Sequence, residues 1–353
     1  MLSALKAMRR DSHGFDITYV ILLKRTVATP QMRLQSTRQC NHPTERDYAM
    51  IKPERPRRLR RCQLSVPASS EHMIAKSVGL GVDHIFFDLE DAVAPDQKKP
   101  ARKNVVKALN TMQFGRTTRC VRINDTTTRY CYGDIVEVVE GAGEVLDVIM
   151  IPKVLDADDV LFVDKLLTQL EKDLALKKRI GLECLIEEVE GMMNIERIAA
   201  STPRLEALIF GMGDYSASQG VRVSSGTADG YPGDVWHYQR HRLAIACKSH
   251  GLDPVDGPYA DIKNPDGYRE EARRAMILGC VGKWAIHPSQ VEIAQAVFSP
   301  TQKEVDRARA MAAAFDDALS KGLGSVMYEG KMIDIASIRI VNNVIERANQ
   351  IGM

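Results

Sequence analysis

The sequence has little net charge and lacks any long apolar run. Its 353 residues carry 48 Lys and Arg against 46 Asp and Glu, which gives a formal net charge of +2. Such a balance excludes a global field that would attract nucleic acid or an anionic membrane. No apolar run approaches the ~20 residues that a membrane-spanning helix needs. The 44% hydrophobic and 27% charged residues are typical of a soluble globular protein, and we expect neither nucleic acid nor membrane as a partner.

Paired cysteines are also missing. The seven cysteines are scattered, and no two form a CxxC pair: Cys40, Cys62, Cys120, Cys131, Cys184, Cys247 and Cys280. An odd, unclustered set indicates reduced thiols in a reducing compartment. We therefore expect a cytoplasmic location, or the mitochondrial matrix if the source is eukaryotic.

Residues 1–60 lack a sustained apolar period and are rich in Arg, Ser and Thr but sparse in acids. We interpret them as a poorly ordered basic leader. An Arg-rich, acid-poor leader fits a mitochondrial presequence, but an over-extended start, with Met50 as the true first residue, accounts for it equally well. The basic run Arg55–Arg61 has no interleaved aromatic residues, so we expect a solvated linker rather than a nucleic-acid site.

From Cys62 onward the pattern alternates between strands and helices. Eight βα units over about 240 residues predict an α/β fold, a (β/α)₈ TIM barrel over residues 61–299. A doubly wound open sheet is the competing architecture, but it calls for a Gly-rich phosphate turn after the first strand, where this chain has Pro67–Ser70. The predicted strands are Arg61–Val66, His84–Asp88, Thr118–Ile123, Asp147–Ile151, Ile180–Ile186, Glu206–Phe210, Leu252–Asp256 and Val281–Ile286.

Helical spacing of apolar residues fills the intervals between these strands. Beyond Pro300 we expect a C-terminal lid extension, residues 300–353, with two helices and a tight hairpin turn at Glu329–Gly330. Asp334, at the start of the last helix, is expected to cap it. The predicted barrel helices are Glu71–Val78, Lys98–Leu109, Ala157–Leu174, Gly191–Ala200, Val235–His250, Pro265–Leu278 and Ser289–Val297.

Two carboxylates follow neighbouring predicted strands. Glu187 comes directly after Ile180–Ile186, and Asp214 follows Glu206–Phe210 through a turn that contains Gly211 and Gly213. The carboxyl ends of barrel strands meet at one face, where active sites gather. Because no His or Cys accompanies the pair, a bound metal would be Mg²⁺ or Mn²⁺ rather than Zn²⁺. The alternative is that both carboxylates only cap the helices that follow.

Further polar residues follow other strands. Glu90 and Asp91 follow the second strand, Arg122 lies near the end of the third, and Lys153 follows the fourth. Together with the carboxylate pair they predict a charged pocket, or alternatively a self-compensating salt network. Lys153 also stands where a Schiff-base lysine is found in some aldolases, although paired carboxylates favour a metal-assisted path.

A series of motifs follows the predicted strands along the chain: Phe87–Val93, Val121–Asn124, Ile149–Val154, Ile186–Glu187, Gly211–Asp214, Val255–Pro258, Val281–His287 and Trp284–Pro288. As a set these motifs are specific, and they resemble the citrate lyase beta subunit family of acyl-CoA ester lyases. The resemblance runs from about Cys62 to the C-terminus, in order and at matching spacing. Within the family, Val255–Pro258 and Val281–His287 are most similar to the malyl-CoA/β-methylmalyl-CoA lyase subgroup.

The resemblance implies roles for single residues. Glu187 and Asp214 match the Mg²⁺ ligands, Glu90 and Asp91 are expected to bond the waters of the metal, and Arg122 matches the Arg that contacts substrate and stabilises the thioester enolate. Asp334 matches the catalytic Asp, which reaches the barrel of a neighbouring subunit. The substrate-binding set is Ser65, Ser70, Lys76, Arg122, Gly213, Asp214, Ile286 and His287.

The chain departs from the subgroup at two places. Ser65 and Ser70 stand where bacterial malyl-CoA lyases carry a bulky aromatic residue and an Arg, which removes stacking and charge from the CoA pocket. The segment 221–233, which borders that pocket, is shorter than in those enzymes, so substrate choice can differ.

The implied reaction is Mg²⁺-dependent cleavage of a β-hydroxyacyl-CoA, malyl-CoA or β-methylmalyl-CoA, to acetyl-CoA or propionyl-CoA plus glyoxylate. The alternatives are a malyl-CoA thioesterase, a citramalyl-CoA lyase and a regulatory CoA-binding barrel without turnover. The implied partners are acyl-CoA and small 2-oxo-acid substrates. The family also implies a homotrimer or homohexamer in which the lid acts in trans.

Overall fold

A computed structural model describes residues 55–221 and 233–353 of the chain. Residues 1–54 of the predicted leader, with the alternative start at Met50, lie outside the described residues. Residues 222–232, which belong to the predicted short segment 221–233, also lie outside the described residues.

Eight parallel strands close into a barrel in chain order, and β1 pairs with both β2 and β8. The predicted (β/α)₈ architecture is confirmed, and every strand lies within one residue of its predicted bounds. The strands are β1 (Cys62–Pro67), β2 (His84–Asp88), β3 (Thr118–Arg122), β4 (Val148–Ile151), β5 (Gly181–Ile186), β6 (Leu205–Phe210), β7 (Asp253–Asp256) and β8 (Gly282–Ala285).

The strands have apolar residues on both faces because the barrel interior and the outer helices cover them from opposite sides. Every residue of β2, β4, β5, β6 and β8 is buried. One apolar cluster is built from residues of seven strands, Phe86, Cys120, Val148, Met150, Leu185, Ile209, Val255 and Trp284. A larger cluster joins the strands to the surrounding helices. The barrel is therefore a packed scaffold that leaves its strand ends free to carry a site.

Local capping fixes several of the helices. Asp156 forms a capping box with Asp159, and Asn264 caps the helix that starts at Pro265, as predicted. The barrel helices are α1 (Glu71–Ser77), α2 (Lys98–Thr111), α3 (Cys131–Ala142), α4 (Ala157–Asp173), α5 (Val189–Met193), α6 (Ile195–Ala200), α7 (Met212–Ser218), α8 (His237–His250), α9 (Pro265–Ile277) and α10 (Val291–Val297). Across 55–221 and 233–353, no helix is long and apolar enough to cross a membrane.

The helices predicted from the sequence differ from those of the structure at three places in the chain. The single helix predicted over 191–200 is two short helices, α5 and α6, which meet at Asn194. Helix α3 was not predicted. Helix α7 was not predicted either, because two glycines at its start, Gly211 before it and Gly213 within its first turn, indicate a turn in the sequence.

The lid extension, residues 300–353, contains two helices and a hairpin: α11 (Gln302–Ser320), β9 (Ser325–Tyr328), β10 (Lys331–Asp334) and α12 (Ile335–Ile351). The predicted hairpin turn is confirmed, with positive φ at Glu329 (48°) and Gly330 (74°), the geometry of a type I′ turn. Phe315, Ile333 and Ile338 form a small apolar cluster that joins both helices to the hairpin.

The arginine run before β1 closes the N-terminal end of the barrel. Arg60 donates to Glu183 (2.7 Å), Glu206 (2.5 Å) and Asp253 (2.9 Å), and its side chain is 1% exposed. Arg58 also donates to Glu206, at 2.8 Å. The interpretation of this run as a solvated linker is therefore wrong, because its partners lie on strands distant in sequence.

Replacing Arg60 with Met is expected to lower the free energy of unfolding by about 3–5 kcal/mol, because it leaves the buried Glu183 and Glu206 without this partner. Urea denaturation of the purified variant measures the change. Arg57→Met is the matched control, since Arg57 belongs to the same run but is exposed; it should change stability by less than about 0.5 kcal/mol. Equal stability of the two variants would contradict a structural role for Arg60.

Candidate functional site

Glu187 and Asp214 lie at the carboxyl ends of paired strands. Glu187 follows β5 and is 3% exposed, and Ile186 pairs in register with Phe210 at the end of β6. A Cβ on Gly211 would lie 2.6 Å from the Glu187 Cβ and 2.7 Å from its Oε2, so only glycine lets Glu187 lie across the end of β6. Asp214 lies in the first turn of α7, not in the predicted turn, and its side chain is 43% exposed.

Arg122, the last residue of β3, is fixed by acids on the neighbouring strand. Its Nε donates to Asp88 Oδ1 at 2.8 Å and its Nη2 to Asp88 Oδ2 at 2.6 Å, while Nη1 lies 3.0 Å from Glu90 Oε2. The guanidinium also lies 5.6 Å from the centre of the Trp284 ring. Arginine has five N–H groups, and these three contacts leave two for a ligand.

Lys153 links the carboxylates of several strands. Its Nζ lies 2.5 Å from Glu90 Oε1 and 3.5 Å from both Asp91 Oδ1 and Asp214 Oδ2. Its backbone N–H donates to Glu187 Oε1 at 3.0 Å. Lys153 thus contacts both predicted ligands, Glu187 through its backbone N–H and Asp214 through its ammonium group.

Backbone contacts hold the segment that carries Glu90. Lys98 on α2 donates to the carbonyls of Leu89 (2.8 Å) and Glu90 (2.7 Å), and Asn124 donates to the Leu89 carbonyl at 2.9 Å. These bonds fix the turn after β2, so that Glu90 faces Arg122 and Lys153.

Burial and charge shift the pKa values of the site in opposite directions. Burial raises the pKa of Glu187 well above its usual range, although the charge of Arg122 opposes the shift. Burial also raises the pKa of Glu90. It would do the same for Asp88, but there the charge and hydrogen bonds of Arg122 prevail and lower the pKa.

The pKa of Lys153 bears on the Schiff-base alternative. Burial alone would lower it, but the hydrogen bond and charge of Glu90 prevail and hold it above its usual range. A protonated amine is not a nucleophile, so the structure does not favour a Schiff base at Lys153.

The charges at this face favour a cation. Three cationic side chains, Arg122, Lys153 and Lys98, lie among five carboxylates, so the acids outnumber the bases: Asp88, Glu90, Asp91, Glu187 and Asp214. The atoms that these five acids offer to a metal are all carboxylate oxygens, the ligands that Mg²⁺ and Mn²⁺ prefer. A cation would also offset the cost of burying Glu187 as an anion. The residues present therefore fit a hard divalent metal.

The residues predicted to bind CoA belong to two adjacent strands and the helix that follows the first. Ser65 lies on β1, Ser70 caps α1 by accepting from the Met73 N–H at 3.3 Å, and Lys76 is exposed in the last turn of α1. Ile286 and His287 follow β8, which pairs with β1. His287 accepts from the Ser289 N–H at 3.2 Å, a helix-capping role that leaves its ring exposed. Their contact with CoA stays a prediction.

Two more of the predicted site residues, Gly213 and Asp334, lie in different parts of the structure. Gly213 is exposed in α7, and a Cβ there would meet nothing within 4 Å. Asp334 caps α12, as predicted, by accepting from the Ser337 N–H at 3.0 Å, and this bond lowers the pKa of its carboxyl. No hydrogen bond or ion pair between described residues joins Asp334 to Glu187 or Asp214 of the same chain.

A second group of potential metal ligands lies inside the barrel, on β2, β3 and β5. His84, Cys120 and Glu183 have ligand atoms within 4.8 Å of one another. Glu183, however, already accepts from Arg60 (2.7 Å) and Gln63 (2.9 Å). Burial lowers the pKa of His84 to about 4 and raises that of the Cys120 thiol, so the thiolate that a metal needs is disfavoured. We assign no metal to this group.

A cavity of about 830 Å³ lies at the other end of the barrel, lined by Arg58, Arg60 and Asp253 together with Arg347 and Gln350 of α12. It contains none of the predicted site residues. The charged groups that suit the predicted chemistry meet at the carboxyl ends of the strands, so we place the site there and not in this cavity.

Residues 61–288 match the model of the family described as HpcH/HpaI aldolase/citrate lyase. The chain belongs to this family. It is 41% identical over 313 residues to L-malyl-CoA/beta-methylmalyl-CoA lyase of Cereibacter sphaeroides, a match that covers 86% of this chain and 98% of the relative. The resemblance read from the motifs is thereby confirmed, and the protein is an enzyme of the carbon–carbon lyase class.

Two further members of the family bear on substrate and cofactor. A (3S)-malyl-CoA thioesterase of C. sphaeroides is 35% identical over 301 residues, covering 83% of this chain and 95% of that protein. The crystal structure of CitE from Mycobacterium tuberculosis, in complex with magnesium, acetoacetate and coenzyme A, has a TM-score of 0.66 at 27% identity. It matches 82% of this chain and 97% of that one.

Proposed function

We propose that this member of the lyase family is a Mg²⁺-dependent malyl-CoA or β-methylmalyl-CoA lyase. It cleaves the β-hydroxyacyl-CoA reversibly to acetyl-CoA or propionyl-CoA and glyoxylate. The observation that supports the proposal is that Glu187 and Asp214 lie just beyond the carboxyl ends of the paired strands β5 and β6, and that both contact Lys153. The 41% identical relative named for this reaction supports the choice of substrate.

Glu187 and Asp214 would hold the metal, with Glu90 and Asp91 beside it. A hard divalent cation held by these residues would polarise the carbonyl oxygen of the 2-oxo acid. Gly213, exposed in the first turn of α7, lets the carboxylate of the oxo acid approach the helix N-terminus. These residues bind and orient the oxo-acid half of the substrate.

Arg122 stabilises the charge that develops on the other half. When the carbon–carbon bond breaks, the hydroxyl gives its proton to water and becomes the carbonyl of glyoxylate, and the bonding electrons pass to the thioester as an enolate. The two N–H groups of Arg122 not used by Asp88 and Glu90 can donate to the enolate oxygen. Because both acids fix the guanidinium, little reorganisation accompanies the reaction.

Asp334 supplies the proton transfer to and from the enolate carbon. Within one chain it is a helix cap with a lowered pKa, which is unsuited to a general acid. We propose that it acts on the barrel of a neighbouring subunit, where lid closure desolvates it and raises its pKa. A homotrimer or homohexamer is then required for activity.

Two structural features support the trans arrangement. The end of α12 lines the cavity at the N-terminal end of its own barrel, opposite the candidate site. The lid extension also exposes large apolar side chains around its hairpin, namely Leu323, Met327, Met332, Ile335 and Ile340. An apolar surface of this kind is suited to contact with another copy of the chain.

A malyl-CoA thioesterase is the second candidate function, since a 35% identical family member has that name. It would need the same metal and acyl-CoA contacts but would direct water at the thioester. A citramalyl-CoA lyase differs by one methyl group on the oxo acid. Because a methyl group is worth only about 1–3 kcal/mol in an apolar pocket, some activity with pyruvate is expected.

The deciding assay incubates the purified protein with malyl-CoA and, in the reverse direction, with acetyl-CoA plus glyoxylate or pyruvate. We expect acetyl-CoA and glyoxylate in the first case, malyl-CoA in the second, and loss of both reactions in EDTA. Free CoA with malate, without acetyl-CoA, would identify a thioesterase. Full activity in EDTA would rule out the metal, and binding without turnover would favour the regulatory barrel.

A further inference from the structure

Lys153 contacts four of the five carboxylates at this face, all except Asp88. Its Nζ contacts Glu90, Asp91 and Asp214, and its N–H contacts Glu187. The carboxylates of Glu187 and Asp214 are also the proposed ligands of the metal. A divalent cation at this position and the Lys153 ammonium would therefore interact with the same carboxylates.

The backbone of Lys153 is itself unusual. Its φ of 50° lies in the left-handed region, which costs a residue with a Cβ about 1–2 kcal/mol. This conformation directs the N–H at Glu187 while the side chain extends toward Asp214. A residue keeps such an unfavourable backbone conformation where several surrounding contacts hold it in place, as is common at functional sites.

We propose that Lys153 is a positioning residue that couples metal binding to oxo-acid binding. Its positive charge repels a divalent cation held by Glu187 and Asp214, and so weakens metal binding in the absence of substrate. The same charge attracts the carboxylate of the oxo acid. Once that anion is bound, it offsets the repulsion, so metal and oxo acid strengthen each other's binding. This inference rests on the proposed function of the site.

The charge of Lys153 is proposed to weaken metal binding and to strengthen oxo-acid binding. These opposite effects distinguish the proposal from a purely structural role. Loss of the ammonium should strengthen metal binding and weaken oxo-acid binding. A residue that only held the carboxylates in place would, on removal, weaken both. Lys153 is partly exposed (25% of its side chain), and Glu90 and Asp91 keep Arg122 as a partner, so the variants are expected to fold.

The experiment titrates Mn²⁺ into the full chain, without substrate, and follows the free ion by electron paramagnetic resonance. Lys153→Met and Lys153→Gln should each bind Mn²⁺ about tenfold more tightly than the unchanged protein. The KM for glyoxylate should rise about tenfold, and addition of glyoxylate should tighten Mn²⁺ binding less than it does in the unchanged protein. Lys153→Arg, which keeps the charge, is the matched control and should stay close to the unchanged protein in both measurements.

Unchanged or weaker Mn²⁺ binding in both neutral variants would overturn the role of Lys153. The same titration on Asp214→Ala separates this failure from that of the proposed function. Mn²⁺ binding that depends on Asp214 leaves the metal site standing whatever Lys153 does. Mn²⁺ binding that survives Asp214→Ala, or no binding by the unchanged protein, would overturn both proposals.

Discussion

Asp214→Ala is expected to abolish lyase activity at every Mg²⁺ concentration while the barrel stays folded. The carboxylate is 43% exposed, and among the described residues its one ion pair is a 3.5 Å contact with Lys153, which also pairs with Glu90 and Asp91. It therefore contributes little to stability. As one of two proposed protein ligands, however, it holds the charge that polarises the substrate carbonyl, so we expect kcat/KM to fall by at least about 10³-fold.

The measurement is kcat/KM with malyl-CoA over a Mg²⁺ titration, with circular dichroism and thermal unfolding to verify the fold. Asp91→Ala is the matched control, because Asp91 is also exposed and its Oδ1 lies at the same 3.5 Å from Lys153 Nζ. We place Asp91 outside the direct ligands, and loss of such a group lowers activity only about 10–100-fold. Full activity of Asp214→Ala, or equal losses in the two variants, would contradict the assignment of Asp214 as a ligand.

The barrel was predictable because its strands are short apolar runs that end in polar residues and turns. Buried parallel strands require this pattern, and helical spacing between them leaves few alternative topologies. The same reasoning identified Glu187 and Asp214, since each lies just beyond a strand. The position of a residue along the chain was sufficient for these conclusions.

Contacts between strands were not predictable in the same way. Asp88 and Arg122 are register partners on β2 and β3, and their paired hydrogen bonds follow from that register. A sequence shows neither register nor which of Asp88, Glu90 and Asp91 an arginine meets. Lys153 has a left-handed backbone, which brings both its N–H and its side chain into the site. No pattern of residue types in the sequence predicts this conformation.

The basic run before β1 was misinterpreted for a related reason. Its charges are dense and it lacks aromatic residues, which is typical of a solvated segment. In the structure the partners of Arg60 are acids on β5, β6 and β7, more than 120 residues away. Buried acids such as Glu183 in the middle of a strand were the signal that could have predicted a cationic partner, because a buried charge needs one.

Two inactive variants are expected to restore activity when they assemble together. Asp214→Ala keeps the lid carboxylate and Asp334→Ala keeps the metal ligand, so neither chain alone has a complete site if the lid acts in trans. In any mixed trimeric ring, one barrel that retains Asp214 receives a lid that retains Asp334, which gives about one third of the activity of the unchanged protein. The variants should be co-expressed with two different affinity tags, purified over both, and assayed for malyl-CoA cleavage.

If Asp334 instead served the barrel of its own chain, every site in the mixed assembly would lack one of the two carboxylates. The doubly purified protein would then be as inactive as either variant alone, which would contradict the trans arrangement. Double purification ensures that mixed assemblies are present, so an absence of activity cannot arise from a failure to mix. A double variant carrying both substitutions, co-expressed with itself, sets the background. Undiminished specific activity of the unchanged protein as a verified monomer would argue against the trans lid independently, since a monomer has no neighbouring barrel for Asp334 to reach.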